Sequence, residues 1–192
     1  MRRTLAVALS ALSLAWSVAS VAQPRDVATE ARERFERAIH LFNAGDKAGA
    51  AAELGRAYQL SPSPKTLYNL GLVHADMGHA VEAVDALEKV LAAPGDLPAE
   101  RLERARAVRA EQAKRVASIV VTTSVPGAYL DVDTVEAGKA PLASPLRVVA
   151  GTHTVGASLS GYVPVRKRIS VTVCQVSFAT NAFARFWHCA SL

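Results

Sequence analysis

Apolar positions follow two different periods along the 192 residues. Between residues 26 and 117 they recur at helical spacing among Ala, Leu, Glu and Arg, all strong helix formers. At Ser118 the pattern changes. Ile119-Val120-Val121-Thr122-Thr123 is β-branched throughout, and short apolar runs broken by Pro and Gly follow it. The change predicts a multidomain, α plus β chain with a boundary at residue 118.

The helical part repeats itself. Gly45, Ala50, Leu54 and Ala57 recur 33 residues later as Gly78, Ala83, Leu87 and Val90. Residues 23–97 are therefore expected to form two helical hairpins. In the second, helices are predicted over 65–77 and 81–91, with Gly78 making the left-handed turn between them. Pro62 and Pro94 close the two units, because proline cannot continue a helix. Leu67, Leu70-Gly71, His74, Gly78, Ala83, Leu87 and Pro94 resemble the tetratricopeptide repeat. The first unit follows it with Ala38, Leu41, Gly45, Ala50, Leu54, Ala57 and Pro62, but has Arg37 where the Leu of the Leu-Gly pair would stand. Two such units leave apolar faces uncovered. Residues 98–117 are expected to form a capping and connecting helix, with Asp96 as its cap and Glu100–Arg104 and Glu111–Arg115 as its pairs. Homo-oligomerisation is the other way to cover the end.

Strands are predicted over 119–124, 128–132, 146–148, 152–159, 163–173 and 176–180, with turns at Val125-Pro126-Gly127, Ala140-Pro141 and Ser160-Gly161. The blocks Val125-Pro126-Gly127-Ala128, Tyr129-Leu130-Asp131-Val132-Asp133, Gly138-Lys139-Ala140-Pro141-Leu142, Ala150-Gly151-Thr152-His153-Thr154-Val155 and Ser160-Gly161-Tyr162-Val163-Pro164 together resemble a PEGA domain over residues 118–173. The resemblance implies a small all-β sandwich of the kind found in envelope and surface proteins, without a catalytic centre. Thr134 departs from it, standing where the family usually turns on Gly, and Ala140 replaces a common Thr.

Charge and targeting signals narrow the setting. The helical part balances 14 basic against 14 acidic residues from Arg25 to Arg115, while the β part carries six against three. Balanced, interleaved charges describe a solvated surface, which argues against nucleic acid as the partner. Arg2 and Arg3, an uncharged Ala/Leu/Val-rich run and Ser20-Val21-Ala22 make residues 1–22 read as a secretory signal, with an uncleaved anchor as the alternative. The expected location is the periplasm or cell envelope. Cys174 and Cys189 are the only cysteines, and two readings stay open for them: one disulfide, or free thiols in a terminal strand and tail over residues 174–192. That tail is rich in aromatics, with Phe178, Phe183, Phe186 and Trp187. It either completes the sandwich core or offers a partner an apolar patch.

No constellation of nucleophile and base, paired carboxylates or metal ligands stands out, so a non-enzymatic protein without cofactor or metal is expected. His74 and His79 are five apart, a spacing that does not share one helix face. Gly138-Lys139 lacks the surroundings of a phosphate loop. In the repeat register, Arg32, Phe35, Ile39, Phe42 and Asn43, then Lys65, Tyr68, Leu72 and Asp76, would line the concave face and suit a protein or peptide partner. Only Asn69 matches the subset of the family that clamps a terminal carboxylate, so that ligand is not expected. The leading expectation is an envelope scaffold in which the groove holds a partner and the β domain docks. The alternative is a module for peptidoglycan or surface polysaccharide, using Tyr162, Arg166, Lys167 and Arg168, with the repeats as spacer or oligomeriser.

Overall fold

The computed structural model describes residues 26–173 and the backbone of residues 176–180. Residues 1–22, expected to be a secretory signal, Cys174 and Cys189, and the aromatic side chains of the tail lie outside the described residues. Five helices come first: α1 Val27–Asn43, α2 Lys47–Leu60, α3 Pro64–Met77, α4 Ala80–Ala92 and α5 Ala99–Ala113. Local signals explain their ends. The Asp46 carboxylate accepts the Gly49 N–H ahead of α2, and the Ser63 hydroxyl accepts the Thr66 N–H ahead of α3, with Pro64 in the first turn. Gly45 and Gly78 turn out of α1 and α3 at φ of 87° and 79°, a region open to Gly.

The 33-residue offset is physical. Ala50 and Ala83 are each 0% exposed, Leu54 and Leu87 1% and 0%, and Ala57 and Val90 1% and 0%. In each hairpin these residues seal the second helix against the first. Gly71 marks the closest approach of α3 to α4: a Cβ there would lie 2.8 Å from the Leu87 side chain. The equivalent position in the first hairpin is Ala38, itself fully buried.

α5 packs on α4 and α3 and closes the second core through Leu102, Ala105 and Val108. It is shorter than the 98–117 expected. Val116 and Ala117 already pair with Val149 and Val148 in a sheet, and that long-range pairing overrides the helix propensity of the preceding Lys and Arg. Asp96 does not cap it; Pro98 occupies the cap position with no side-chain bond. Glu111 pairs with Lys114 at 2.7 Å instead of Arg115.

Seven strands follow: β1 Val116–Thr123, β2 Tyr129–Val132, β3 Val135–Lys139, β4 Leu146–Val149, β5 Gly151–Ser158, β6 Val165–Val171 and β7 Val176–Thr180. They form two sheets, ordered β4-β1-β7 and β3-β2-β5-β6, with β1 and β7 parallel and the remaining pairs antiparallel. Ile119 and Val121 from the first sheet meet Leu130, Val155 and Val171 from the second in one core, so this half is a small sandwich.

β3 was not foreseen, because Val-Glu-Ala-Gly-Lys lacks a β-branched run. It forms because Asp133 and Thr134 fold the chain back on β2 in a two-residue turn at φ of 50° and 72°. Left-handed backbone is costly for a β-branched residue. Thr134→Gly should therefore stabilise the chain by about 1 kcal/mol, read as a raised midpoint in urea unfolding; an unchanged or lowered midpoint would show that the turn carries no strain.

The two halves join without a spacer. Only Lys114 and Arg115 separate α5 from β1, and the Arg115 carbonyl accepts the Ala150 N–H at 2.8 Å. Arg147 on β4 reaches Asp85 at 2.5 Å and Glu88 at 2.7 Å on α4, and Arg109 on α5 shares Glu88. Burial opposes the charge on Glu88, but hydrogen bonds from Arg109 and Arg147 outweigh it and hold the carboxyl below its usual range.

Candidate functional site

α1, α3 and α5 face one another across a groove of about 400 Å³. Helical spacing puts Ile39 and Phe42 of α1 on one wall, and Asn69, Leu72 and Asp76 of α3 on the next. Arg104, Val108 and Gln112 of α5, a strict i, i+4, i+8 stripe, make the third. Ile39 and Phe42 are 37% and 40% exposed, unusual for large apolar side chains beside a core. The Gln112 side-chain carbonyl is buried with no hydrogen-bond partner. A buried acceptor left unpaired is costly. Two of the other polar groups have partners: the Asn69 amide donates to the Lys65 carbonyl at 3.0 Å, and Asp76 meets Lys47 at 2.7 Å. The floor is thus apolar, with polar groups at its margins.

Of the nine groove residues expected from sequence, Ile39, Phe42, Leu72 and Asp76 line it. Tyr68 does not. It is 5% exposed in the second core, because α5 lies over it with Arg101 5.9 Å from the ring. Phe35 is half-buried in the first core, and Lys65 caps its ring at 5.1 Å. Arg32 points away, 3.9 Å from Glu36, and Asn43 is exposed beyond the groove. Sequence reasoning missed Arg104, Val108 and Gln112 because it treated α5 as a cap; their four-residue spacing was the available signal.

The histidines also differ from expectation. The left-handed turn at Gly78 folds His79 back, its N–H donating to the His74 carbonyl, and the two rings stand 5.7 Å apart. Burial lowers the pKa of His74, whose Nδ1 has no partner. Among the described residues no group of three His, Cys, Asp or Glu side chains is placed to hold a metal.

The basic trio lies within β6, the edge strand of the second sheet. Strand alternation divides it: Arg166 and Arg168 share the outer face, and Lys167 stands on the other. Arg166 approaches Asp131 at 3.6 Å, across Gly156 on β5. Tyr162 is separate from all three, 59% exposed in the loop before β6.

His153 on β5 locks the β2–β3 hairpin. Its Nδ1 lies 2.6 Å from the Asp133 carboxylate and its Nε2 2.6 Å from the Val149 carbonyl. Two acceptors require two ring protons, so the arrangement favours the imidazolium. Burial opposes that charge, but the bonds to Asp133 and Val149 outweigh it and raise the pKa above 6.5. The Thr154 N–H, then His153, hold Asp133 below 3.8. The stabilisation from His153 is complete below about pH 6.5 and lost as pH rises through its folded value; that from Asp133 is lost as pH falls through its own. His74, its pKa lowered, acts in the opposite sense. The difference in melting temperature between the native chain and His153→Gln should therefore be largest between about pH 4 and pH 6.5 and shrink toward pH 8. A difference that stays flat across that range would exclude a charged His153.

The PEGA domain family matches residues 116–181, from the first residue of β1 through β7. No curated protein matches the chain. Among the described residues no helix is long and apolar enough to cross a membrane.

Proposed function

We propose that this protein is a non-enzymatic scaffold of the cell envelope, in which a tetratricopeptide-type groove holds a protein or peptide partner and the PEGA domain docks the chain. The observation that carries the first part is the groove between α1, α3 and α5, whose exposed Ile39 and Phe42 face Leu72 and Val108. Exposed apolar anchors lining a groove suit a peptide that inserts side chains. The second part is supported by the PEGA match, which suggests a surface or envelope-associated module. Secretion by way of residues 1–22 accords with it.

Capture of envelope proteins by the exported chain, compared with an Ile39→Asp/Phe42→Asp variant, tests the groove. Both side chains are more than a third exposed, so a variant whose helical circular dichroism stays native should lose its specific partner by about tenfold or more, and Ile39→Ala/Phe42→Ala gives the same readout with a smaller cost in stability. Equal capture of every partner would remove the groove from the proposal.

A further inference from the structure

Among the described residues, each of three apolar cores lies wholly within one half of the chain. Two are built from helical residues and the third from sandwich residues, and none combines the two. What meets at the joint is polar. The Arg115 carbonyl takes the Ala150 N–H, the Arg115 guanidinium lies beside Gly78, and Arg147 of β4 reaches Asp85 and Glu88 of α4. Val81 of α4 and Leu146 of β4 stand next to these contacts, but they line two open clefts, of about 640 and 410 Å³, that both have Arg147 as a wall. The halves are in contact without being packed into one body.

Two halves that share no large apolar interface turn relative to one another unless something else holds them. Arg147 is placed to be that hold, one guanidinium between two carboxylates of the other half. Its release strands no charge. Arg147 meets the Oε2 of Glu88, whereas Arg109 of α5 bonds Oε1, so Glu88 keeps a partner when Arg147 leaves. Asp85 and Arg147 are 46% and 38% exposed, so water receives both. A buried pair would leave an uncompensated charge on opening; this one does not. We propose that Arg147 is an ionic latch, and that Lys114, between the last turn of α5 and the sheet-bound Arg115, is the hinge about which the sandwich turns when the latch opens. Latched, the halves stand at the angle described above. Unlatched, the two clefts give the sandwich room to swing against α4. The proposal goes beyond the groove and docking readings and depends on neither.

Double electron–electron resonance between two spin labels reads the angle. The full chain carries Cys174→Ser and Cys189→Ser, with labels at His40→Cys in α1 and Tyr162→Cys in the sandwich, both exposed positions. β5 starts at Gly151, next to the joint, and ends seven steps on at Ser158, about 23 Å away at strand rise. Tyr162 stands in the loop beyond, at the far pole, so small turns at the joint become large displacements there. In about 20 mM salt the otherwise native chain should give one narrow distance distribution, and Arg147→Ala should broaden it about twofold or more. Salt at about 1 M should broaden the native distribution to the same extent and add nothing to Arg147→Ala, because it screens the exposed pair. Asp85→Asn leaves Arg147 with Glu88 alone and should fall between the two. An Arg147→Ala chain that keeps the native width and centre at both salt concentrations overturns the proposal, since the joint is then rigid without the latch. So does a native chain as broad as the variant in low salt, or salt that broadens both alike. Should Arg147→Ala lose its helical circular dichroism, a native width for Asp85→Asn in low salt decides against the latch.

Discussion

Leu87→Ala is expected to lower the stability of the chain by about 3 kcal/mol, the largest effect of any single truncation in the helical half. Leu87 is 0% exposed and belongs to the core that α3, α4 and α5 share with Tyr68, Val90 and Ala105. Opposite it stands Gly71, which has no side chain to lean into the vacated space. A cavity walled by three packed helices cannot collapse easily, which places the cost in the middle of the range for buried leucines. The unfolding midpoint in urea measures it, with an unchanged slope showing that the mechanism remains two-state. A second substitution sharpens the claim. Gly71→Ala alone forces a methyl against Leu87 and should destabilise; in the Leu87→Ala background the same methyl fills part of the cavity and should recover stability. Costs that simply add would mean the two residues do not meet.

Glu53→Ala should cost about 2 kcal/mol, through electrostatics instead of packing. The Glu53 side chain is 11% exposed on α2 and gathers three guanidinium groups: Arg34 and Arg37 of α1 at 3.3 Å each, and Arg56 at 3.0 Å. Arg34 is further held by Glu30, whose hydrogen bond raises its pKa. Removing the carboxylate leaves three cations facing one another. Arg37 and Arg56 are more than half exposed, so water screens them and the loss falls short of a fully buried pair. Glu53→Gln should lose about half as much, since its carbonyl still accepts a bond. A Glu53→Ala chain with native stability in low salt would make this network ornamental.

How far the fold was legible follows from which forces were local. The repeat offset, the glycine turns and the prolines that close each hairpin are short-range signals, and each found its helix. The end of α5 was misread because nothing near Val116 announces that β4 will claim it from 33 residues away. β3 escaped notice for a similar reason: its pairing depends on Thr134 adopting a backbone conformation that its own side chain disfavours. Of the candidate groove, the positions on α1 and α3 that face the concavity were foreseen in part. Tyr68 was misplaced because its burial depends on Arg101, an element later in the chain. His74 and His79 were judged by helical spacing, which ceases to apply at Gly78. The PEGA-like blocks succeeded because their turns sit at fixed intervals that no helical segment imitates.

The two-residue junction between α5 and β1 has a consequence for reach. A flexible tether would let a captured partner explore a sphere around its anchor. Here the helix that forms one wall of the groove continues almost at once into the central strand of the first sheet, and the Arg147 clamp to Asp85 and Glu88 braces the joint from the side. Whatever lies in the groove is therefore held at a set height above whatever the far pole touches, as on a bracket whose arm is the length of one β-strand.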